Sequence, residues 1–558
     1  MSKIRVNVKL KGKKIPVDLT PNGEFWDVQS PYYAPLIEEL KAMEGASWLP
    51  DTKVWRILAS KRNAFAFDIL SKRLKFSRYL KEYHIENFGG FWEHQNDICS
   101  FIKARKRCII AGEMRTGKTR PTLEYLENNY SGAVIVSTKS AIRGMPREFK
   151  KWNFKKDYTL LTYNKFATLW SSGQLPVPEA IVFDEAQKLK TPSSARSIAA
   201  LECVNAMEET YSGNESVILL SGTPAPKDPS DWWHLCEVAR PGFLRESSKQ
   251  KLAYRLGNFE KMENLGGAEF WALTPTEEYP TGWKQDEVDK LYRIMHGLVK
   301  VYLKKDCMEL PDIMYEERIL KPNQETLDIA DSLYYTAPNV LTGTQWVRQL
   351  SDGFMYEYEY TEDGKKKRVN TNFVGSPKED ELRNDLDLHE DVGRLIIYAG
   401  FQGSLDRVKT LCLEKGWVVL KVDGRGWEAF YPNDHVEEYS TDFLMNEMDG
   451  STNTGSVKKL AFIAQSSSGS TGLELSASPT IIYYSNSDDG EGRMQSEARA
   501  HSMNMDKTRG LTVIDYLHLP TDELILRRLQ NKADLQAISM GQLKEITNKW
   551  REKGDIER

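Results

Sequence analysis

The stretch that decides the fold reads Gly112-Glu113-Met114-Arg115-Thr116-Gly117-Lys118-Thr119. It fits the pattern G-x-x-x-x-G-K-[ST], a loop whose backbone N–H groups surround the phosphates of a nucleotide. The apolar run Cys108-Ile109-Ile110-Ala111 predicts a buried strand before the loop, and the residues after Lys118 predict a helix whose N-terminus favours an anion. We expect Lys118 to reach the β- and γ-phosphates and Thr119 to bind Mg²⁺.

Length and composition indicate an ordinary multidomain globular protein. The chain has 558 residues, of which 40% are hydrophobic and 28% charged, and this length predicts about three or four domains. No apolar run has the length of a membrane span, and the N-terminal residues lack the apolar region of a signal peptide. The six cysteines form no C-x-x-C pair, which argues against a zinc site or a disulfide framework and favours a reducing cytosol.

Positive charge is concentrated at the front of the chain. Residues 1–150 carry 27 Lys and Arg against 16 Asp and Glu, a balance of +11, whereas the remainder carries 49 against 64, a balance of −15. A basic N-terminal part followed by an acidic remainder indicates a localised contact with a polyanion. The alternative is a solvated surface of mixed charge.

Apolar runs alternate with helical stretches in two parts of the chain. The first series predicts strands at 108–111, 133–137, 180–183 and 216–220, and the second at 393–398, 417–422, 460–463, 480–484 and 511–515. Strands separated by helices pair in parallel and bind ligands at their carboxyl ends. The predicted fold class is α/β with two parallel-sheet domains. Residues 1–80 predict a small α+β module, with strands at 4–10 and 54–58 and helices at 35–43 and 63–74.

Two carboxylates end the third strand of the first series. Ile181-Val182-Phe183 leads directly into Asp184-Glu185-Ala186-Gln187. We expect Asp184 to hold Mg²⁺ through water, and Glu185 to orient and polarise the attacking water. The alternative is an acidic surface pair after a core strand. With the phosphate loop upstream, the pair predicts a hydrolytic nucleotide site.

Three stretches resemble motifs of the superfamily-2 helicases. Motif I corresponds to residues 113–119, motif II to Asp184-Glu185-Ala186-Gln187, and motif III to Leu220-Ser221-Gly222-Thr223-Pro224. The likeness is closest to the Swi/Snf-type translocases that act on double-stranded DNA, and it extends over about residues 91–535. His94-Gln95 resembles the motif whose glutamine reads adenine. Val134-Ile135-Val136-Ser137-Thr138-Lys139 resembles motif Ia, and Thr162-Tyr163-Asn164 resembles motif Ib.

The second strand series resembles the other half of the same motor. Motif IV corresponds to Ile396-Ile397-Tyr398-Ala399-Gly400-Phe401-Gln402, motif V to Ser468-Gly469-Ser470-Thr471-Gly472-Leu473-Glu474-Leu475, and motif VI to Gln495-Ser496-Glu497-Ala498-Arg499-Ala500-His501. The resemblance implies two RecA-like domains that face each other across an ATP cleft, with ATP and Mg²⁺ as cofactors.

The resemblance assigns roles residue by residue. It gives catalysis to Lys118, Asp184, Glu185 and Arg499, and the metal to Thr119 and Asp184. The implied nucleotide contacts are Gln95, Gly112, Arg115, Thr116, Gly117, Lys118, Thr119, Gln187, Gly472, Glu474 and Gln495. The implied contacts to the DNA backbone are Ser137, Thr138, Lys139, Thr162, Tyr163, Thr223, Phe401, Gln402 and Thr471.

Three positions depart from the family pattern. Ser502 stands where motif VI has its second arginine, which stabilises charge in the transition state. Arg499 therefore acts alone, a neighbour such as Arg493 substitutes, or turnover is slow. Gln187 replaces a commoner histidine in motif II, and Glu474 replaces the usual asparagine in motif V.

The N-terminal module resembles the HepA-related (HARP) accessory domain, which precedes a Swi/Snf motor in annealing helicases. The likeness lies in Tyr33-Ala34-Pro35-Leu36-Ile37 and in Gly45-Ala46-Ser47-Trp48-Leu49-Pro50-Asp51-Thr52-Lys53-Val54-Trp55. It implies DNA binding through Lys and Arg side chains and stacking on an exposed aromatic ring. The alternative places Trp48 and Trp55 in the core of the module.

A hairpin is predicted within residues 225–375, where the strand–helix alternation stops. Tyr356, Tyr358 and Tyr360 alternate with glutamates up to the turn pair Asp363-Gly364, and the return strand begins Lys365-Lys366-Lys367-Arg368. The hairpin is either a strand-separating pin or backbone contact, or a peripheral element with charges paired across its strands.

The predicted organisation has five parts: a HARP-like module at 1–85, RecA-like domain 1 at 86–295, a helical linker with the hairpin at 296–378, RecA-like domain 2 at 379–535, and a charged tail at 536–558. The resemblance implies an ATP-dependent translocase or helicase on duplex, forked or branched DNA, with fork regression, branch migration or strand annealing as its output in replication, recombination or repair. An RNA helicase, a non-catalytic ATP sensor and a translocating subunit of a restriction or defence complex are the alternatives.

We expect a monomer in the cytoplasm of a bacterium or of a phage-infected host. A single-stranded-DNA-binding protein or a recombination protein is the candidate partner.

Overall fold

The computed structural model describes residues 3–10, 12–71, 82–222, 224, 228–263, 269–360, 366–433, 438–450, 455–466, 473–531, 533 and 544. Three predicted site residues, Thr223, Thr471 and Gly472, lie outside this set, as do the turn pair Asp363-Gly364 and nearly all of the predicted tail. The chain divides between Cys307 and Met308 into two compact units.

The first unit begins with a five-stranded antiparallel sheet. Its strands are β1 (Ile4–Leu10), β2 (Lys13–Asn22), β3 (Phe25–Gln29), β4 (Ser47–Leu49) and β5 (Val54–Leu58), in the order β1-β2-β3-β5-β4. Alternate residues of β1 are buried against helices α1 (Ala34–Ala42) and α2 (Lys61–Leu70). The two predicted strands and both predicted helices are present, with α2 ending at Leu70, but β2, β3 and β4 were not predicted. The two prolines of β2 are unfavourable in a central strand.

The two tryptophans of this module differ in environment. Trp55 on β5 packs against the core of the module, whereas Trp48 on the edge strand β4 is 46% exposed. The two rings lie 5.6 Å apart at 52°. The alternative that places both rings in the core is therefore wrong for Trp48.

A six-stranded parallel sheet forms the centre of the first unit. Its strands are β6 (Arg107–Gly112), β7 (Gly132–Ser137), β8 (Asp157–Thr162), β9 (Ala180–Asp184), β10 (Ser216–Ser221) and β13 (Val299–Tyr302), in the order β13-β6-β10-β9-β7-β8. The helices are α3 (Glu93–Arg105), α4 (Thr119–Asn129), α5 (Lys139–Trp152), α6 (Tyr163–Ser171), α7 (Ala195–Tyr211), α8 (Trp232–Ala239), α9 (Lys249–Leu256), α10 (Gln285–Met295) and α11 (Lys304–Cys307). A separate hairpin pairs β11 (Phe259–Glu263) with β12 (Glu269–Leu273).

The second unit is built on a seven-stranded sheet. Its strands are β14 (Ile313–Ile319), β17 (Arg394–Tyr398), β18 (Val418–Asp423), β19 (Gly426–Phe430), β20 (Leu460–Ala464), β21 (Thr480–Tyr483) and β22 (Leu511–Leu517), in the order β14-β22-β21-β17-β20-β18-β19. All neighbours are parallel except β18 and β19. The helices are α12 (Gln324–Thr336), α13 (Val340–Ser351), α14 (Pro377–Leu388), α15 (Gln402–Glu414), α16 (Thr441–Asp449) and α17 (Gly490–Ala500).

The predicted hairpin is present in the second unit. Strands β15 (Phe354–Tyr360) and β16 (Lys366–Phe373) pair antiparallel, with an irregularity between Glu357 and Tyr358.

Both parallel sheets are covered on two faces. Ile109 and Ile110 of β6 belong to separate apolar clusters, as do Ile396 and Ile397 of β17. Successive side chains of a strand point to opposite faces, so strands buried on both sides consist of continuous apolar runs. These runs were the basis of the predicted α/β fold with two parallel-sheet domains, which the structure confirms.

Besides the two strands of the hairpin, two further strands fall within the range 296–378, which the sequence analysis assigned to a helical linker with the hairpin. Strand β13 extends the first sheet beside β6, and β14 forms the edge of the second sheet beside β22. Among the described residues, we find no helix with the length and apolar character needed to cross a membrane.

The small N-terminal module is held to the parallel-sheet part of its unit by buried charges. Arg62 Nη1 donates to Glu237 Oε1 at 2.9 Å and to the carbonyl oxygen of Glu246 at 3.0 Å. Burial raises the pKa of Glu237, and the nearby Arg62 opposes that rise. The module is therefore fixed against helix α8.

Candidate nucleotide-binding site

The loop between β6 and α4 has the conformation of a phosphate loop. Arg115 and Gly117 have positive φ angles of 67° and 72°, a region that glycine adopts without steric cost. Gly112 is needed for a different reason, since a Cβ atom there would lie 2.9 Å from both Lys118 Cδ and Thr116 Oγ1. The Thr116 hydroxyl donates to the Glu113 carbonyl oxygen at 2.8 Å, which closes the loop on itself.

Lys118 is held inside this loop. Its Nζ donates to the carbonyl oxygens of Gly112 at 2.6 Å and Glu113 at 3.0 Å. Burial lowers the pKa of Lys118, while the carboxylates of Glu185, Asp184 and Glu113 oppose that decrease. A cation in such a poorly hydrated position gains more from a phosphate group than an exposed lysine does.

The acidic pair lies at the carboxyl end of β9. Ser137 Oγ donates to Asp184 Oδ2 at 2.7 Å, and Tyr163 Oη donates to the Asp184 carbonyl oxygen at 2.8 Å. Burial raises the pKa of Asp184, opposed by the Ser137 hydrogen bond and by Lys118. Glu185 adopts a left-handed backbone with φ 55°. The two consecutive carboxylates are thus presented in a fixed and unusual turn.

Glu185 is joined to the end of the neighbouring strand by a hydrogen-bonded chain. Gln187 Nε2 donates to Glu185 Oε2 at 2.7 Å, and Ser221 Oγ donates to Gln187 Oε1 at 2.7 Å. Gln187 and Ser221 are both buried. Since β10 lies between β6 and β9, these hydrogen bonds connect the Glu185 carboxylate with the strand that lies beside β6. Gln187 can bridge two partners because its amide offers both a donor and an acceptor.

Gln95, predicted to read adenine, is bonded to the phosphate loop. Its Nε2 donates to the Gly117 carbonyl oxygen at 3.2 Å, and its Oε1 accepts from the Trp92 backbone N–H at 3.2 Å. His94 Nε2 lies 2.8 Å from the Thr116 carbonyl oxygen. The first residues of α3 therefore support the loop from one side.

Strand β13 supports the loop from the other side, and its residues were not predicted as part of the site. The backbone N–H of Glu113 donates to the Tyr302 carbonyl oxygen at 2.9 Å, and that of Lys304 donates to Glu113 Oε2 at 2.5 Å. Burial lowers the pKa of Lys304 to about 8. The alternation of Val299-Lys300-Val301-Tyr302 is a short strand signal that could have identified this contact.

Two residues predicted to contact DNA are in fact turned into the site. Ser137 and Tyr163 are buried, and both hydroxyls hold Asp184. Their side chains therefore position Asp184 in this structure, and the predicted DNA contact at these two residues stays a prediction.

Two other predicted DNA contacts, Thr138 and Thr162, cap the N-termini of helices with their hydroxyls. Thr138 Oγ1 accepts from the Ala141 N–H at 3.4 Å at the start of α5, and Thr162 Oγ1 accepts from the Lys165 N–H at 3.2 Å at the start of α6. Lys139 is exposed. Thr138 and Thr162 are half-buried, and the DNA contact of these three residues stays a prediction.

In the second unit, the last two residues of the predicted motif IV, Phe401 and Gln402, lie at the start of helix α15. The Arg348 guanidinium lies 4.9 Å from the Phe401 ring centre, and Gln402 Oε1 accepts from Arg368 Nη2 at 3.1 Å. Both predicted DNA contacts are half-buried and have cationic neighbours.

The described end of motif V contacts motif VI within the second unit. Glu474 Oε1 accepts from Ser502 Oγ at 2.9 Å and from Asn504 Nδ2 at 2.7 Å. Arg499 is buried, and its Nη1 lies 3.5 Å from the Leu473 carbonyl oxygen. Gln495 Nε2 donates to Glu491 Oε1 at 3.1 Å.

Arg493, one candidate replacement for the missing arginine, has a structural environment instead. It donates to Asp515 through Nη1 at 2.6 Å and Nη2 at 2.8 Å, to Glu497 at 2.8 Å and to Asn486 at 2.6 Å. Its guanidinium lies 4.1 Å from the Tyr483 ring centre. A guanidinium held by these partners in a buried network is poorly placed to act as a mobile arginine finger, which favours the alternative in which Arg499 acts alone.

The side chains at the loop fit a magnesium–nucleotide complex. Thr119, which carries a hydroxyl, is the first residue of α4 directly after the loop, and Asp184, which carries a carboxylate, is the last residue of β9. Hydroxyl and carboxylate oxygens are the hard ligands that Mg²⁺ takes alongside phosphate oxygens and water. Lys118 would supply positive charge for the remaining phosphate oxygens.

Sequence comparisons find curated proteins that are similar to this chain, although no protein-family model matches it. It is 21% identical over 546 residues to the CHD3-type chromatin-remodeling factor PICKLE of Arabidopsis thaliana, covering 89% of this chain and 37% of that protein. It is 22% identical over 514 residues to the transcription regulatory protein SNF2 of Saccharomyces cerevisiae, covering 82% and 27%. A shorter match, 26% over 203 residues, covers 29% of this chain and 13% of the DNA excision repair protein ERCC-6-like of Danio rerio.

The chain therefore spans well under half the length of these curated relatives. A solved structure, the Sulfolobus solfataricus SWI2/SNF2 ATPase core in complex with dsDNA, aligns with 84% of this chain and 97% of that chain at 16% identity and a TM-score of 0.33. The fold assignment rests on the strand order of this chain's own two parallel sheets.

Proposed function

We propose that the chain is an SNF2-type ATPase that couples ATP hydrolysis to movement along duplex or branched DNA. The observation that carries the proposal is the arrangement at the ends of three adjacent strands. Lys118 follows β6, Asp184 and Glu185 follow β9, and Ser221 at the end of β10 is joined to Glu185 through Gln187. A phosphate loop, a metal-binding carboxylate and a linked general base are the parts that phosphoryl transfer to water requires.

The roles within this proposal follow from the contacts. Lys118 binds the β- and γ-phosphates, while Thr119 and Asp184 hold Mg²⁺. Glu185 orients the attacking water, and its position depends on Gln187. Arg499 supplies positive charge to the nucleotide without help from Arg493, whose guanidinium is bound to Asp515.

The DNA half of the proposal rests on different support. Similarity to the curated relatives extends along most of the chain. Lys139, Phe401 and Gln402 lie at the starts of helices α5 and α15, where the motifs predict backbone contacts. We also propose that the N-terminal module is HARP-like and binds DNA, with the exposed Trp48 ring as a stacking surface. Fork regression, branch migration and strand annealing are the proposed outputs.

The experiment is a triplex-displacement assay on linear duplex DNA with Mg-ATP. Displacement of the third strand by the wild-type chain, and its loss in Lys118→Ala and Glu185→Gln, is the expected result. Both variants should still bind DNA in an anisotropy assay, since neither residue is a proposed DNA contact. Displacement that persists in Lys118→Ala, or ATP hydrolysis stimulated by RNA more than by duplex DNA, would contradict the proposal.

A further inference from the structure

The base of the hairpin β15–β16 is packed tightly against the start of helix α15. Gly403 N–H donates to Tyr356 Oη at 2.9 Å, and the Phe354 and Phe401 rings lie 5.8 Å apart at 71°. A Cβ atom on Gly403 would lie 2.8 Å from the Phe354 ring. The hairpin therefore holds a defined position next to the motif IV residues Phe401 and Gln402.

An irregularity in the pairing changes what Arg368 faces. Glu357 lies opposite Asn370, but the next residue, Tyr358, lies opposite Arg368, so Val369 is the extra residue of a bulge. Bulges redirect side chains, often beside functional sites. Arg368 consequently lies across from Tyr358, whereas Glu359 lies opposite Lys367, so the charge pairing of the peripheral alternative is kept at that position and not at Arg368.

The Arg368 side chain is oriented by two contacts. Its guanidinium lies 4.6 Å from the Tyr356 ring centre, and its Nη2 donates to Gln402 Oε1 at 3.1 Å. Arg368 is nevertheless exposed to solvent. A guanidinium has five N–H donors, and the bond to Gln402 uses one of them. An arginine stacked on an aromatic ring is pre-organised to present its remaining edge to a phosphate.

We infer that Arg368 binds the phosphodiester backbone of DNA and extends the motif IV contact from Gln402 onto the hairpin. The inference rests on the proposed function, because it assigns one phosphate contact to that same motor. Tyr356 is the positioning residue, since its ring carries the guanidinium while its hydroxyl is bonded to α15. The hairpin is thereby a DNA-backbone contact, one of the two roles that its sequence left open.

The experiment compares Arg368→Ala, Arg368→Lys and Tyr356→Leu with the wild-type chain in anisotropy titrations of fluorescent duplex DNA at several salt concentrations. We expect Arg368→Ala to weaken binding roughly three- to tenfold and to reduce the slope of log affinity against log salt by about 1, as for one lost phosphate contact. Arg368→Lys should recover the salt slope and part of the affinity, because it keeps the charge but not the planar edge. Tyr356→Leu should weaken binding with the slope unchanged.

Arg509→Ala is the matched control. Arg509 is another exposed arginine of the second unit, and it lies 3.5 Å from Asp506. We expect this variant to bind as the wild type does, and thermal unfolding should show that all four variants are folded. If the wild-type chain binds DNA and Arg368→Ala binds it with the same affinity and the same salt slope, the inference is overturned and the proposed function is not. Failure of the wild-type chain to bind DNA would overturn the proposed function as well.

Discussion

Ser502 Oγ donates a hydrogen bond to Glu474 Oε1 at 2.9 Å, so two departures from the motif pattern are in direct contact. Ser502 replaces the second arginine of motif VI, and Glu474 replaces the usual asparagine of motif V. Asn504 Nδ2 donates to the same carboxylate oxygen at 2.7 Å. The two substituted positions are therefore joined by a hydrogen bond, and the Glu474 carboxylate accepts from two neutral donors.

This contact predicts that the two positions act together. In Ser502→Arg alone, we expect the new guanidinium to pair with Glu474 and the ATPase turnover number to change less than about twofold. In the double variant Glu474→Asn/Ser502→Arg, the carboxylate is removed, and we expect turnover to rise about tenfold or more. Steady-state ATPase assays with saturating DNA measure both. An equal rise in the single and double variants would show that Glu474 does not restrain the arginine.

A second prediction separates Arg493 from Arg499. Arg493→Met leaves Asp515 and Glu497 buried without their cation, which should cost about 3–5 kcal/mol of stability. Arg499→Lys keeps a positive charge but alters its geometry, so we expect turnover to fall at least about tenfold. Thermal unfolding and ATPase assays on both variants test the assignment. A stable Arg493→Met variant with reduced turnover would assign the catalytic role to Arg493.

A third prediction concerns the attachment of the N-terminal module. Arg62→Met leaves the Glu237 carboxylate buried without its partner and should cost about 3–5 kcal/mol, whereas Arg62→Met/Glu237→Leu should recover most of that loss. The control is Arg56→Met, which breaks the more exposed Arg56–Asp27 pair and should cost about 0–1 kcal/mol. Urea denaturation measures the differences. Equal losses in Arg62→Met and Arg56→Met would contradict the buried attachment.

A fourth prediction concerns the chain from Glu185 to Ser221. Gln187→Ala removes the bridge, so Glu185 loses its orienting partner and DNA-stimulated turnover should fall about tenfold or more. The KM for ATP should change little, because the phosphate loop retains its own contacts. Gln187→His, which also offers a donor and an acceptor, should retain more activity than Gln187→Ala. Unchanged turnover in Gln187→Ala would show that Glu185 is positioned by other contacts.

The predictable part of the site was encoded within short stretches of sequence. The phosphate loop and the Asp184-Glu185 pair each depend on one strand and the turn that follows it, and a parallel sheet brings such turns to one edge. Alternation and continuous apolar runs likewise predicted most strands of both parallel sheets. These features require no knowledge of which way a particular side chain points.

The parts that were missed depend on contacts between distant residues. Lys304 reaches the phosphate loop only because β13 pairs with β6, and that strand was short enough to be absorbed into a helical region. The contacts of Ser137 and Tyr163 with Asp184 were not predicted, because only the packed structure shows their hydroxyls turned towards it. The contact between Glu474 and Ser502 likewise depends on how helix α17 and the chain after it pack beside the end of motif V.

The most direct test of the central claim is the initial rate of ATP hydrolysis with no nucleic acid, single-stranded DNA, duplex DNA, forked DNA, four-way DNA and RNA. The wild-type chain is compared with Lys118→Ala, which lacks the phosphate-binding lysine, and Glu185→Gln, which lacks the proposed base. We expect duplex or branched DNA to stimulate the wild type at least about tenfold and both variants to lose about 10² or more of that rate. Stimulation greatest with RNA, or a DNA-stimulated rate that survives Lys118→Ala, would contradict the account.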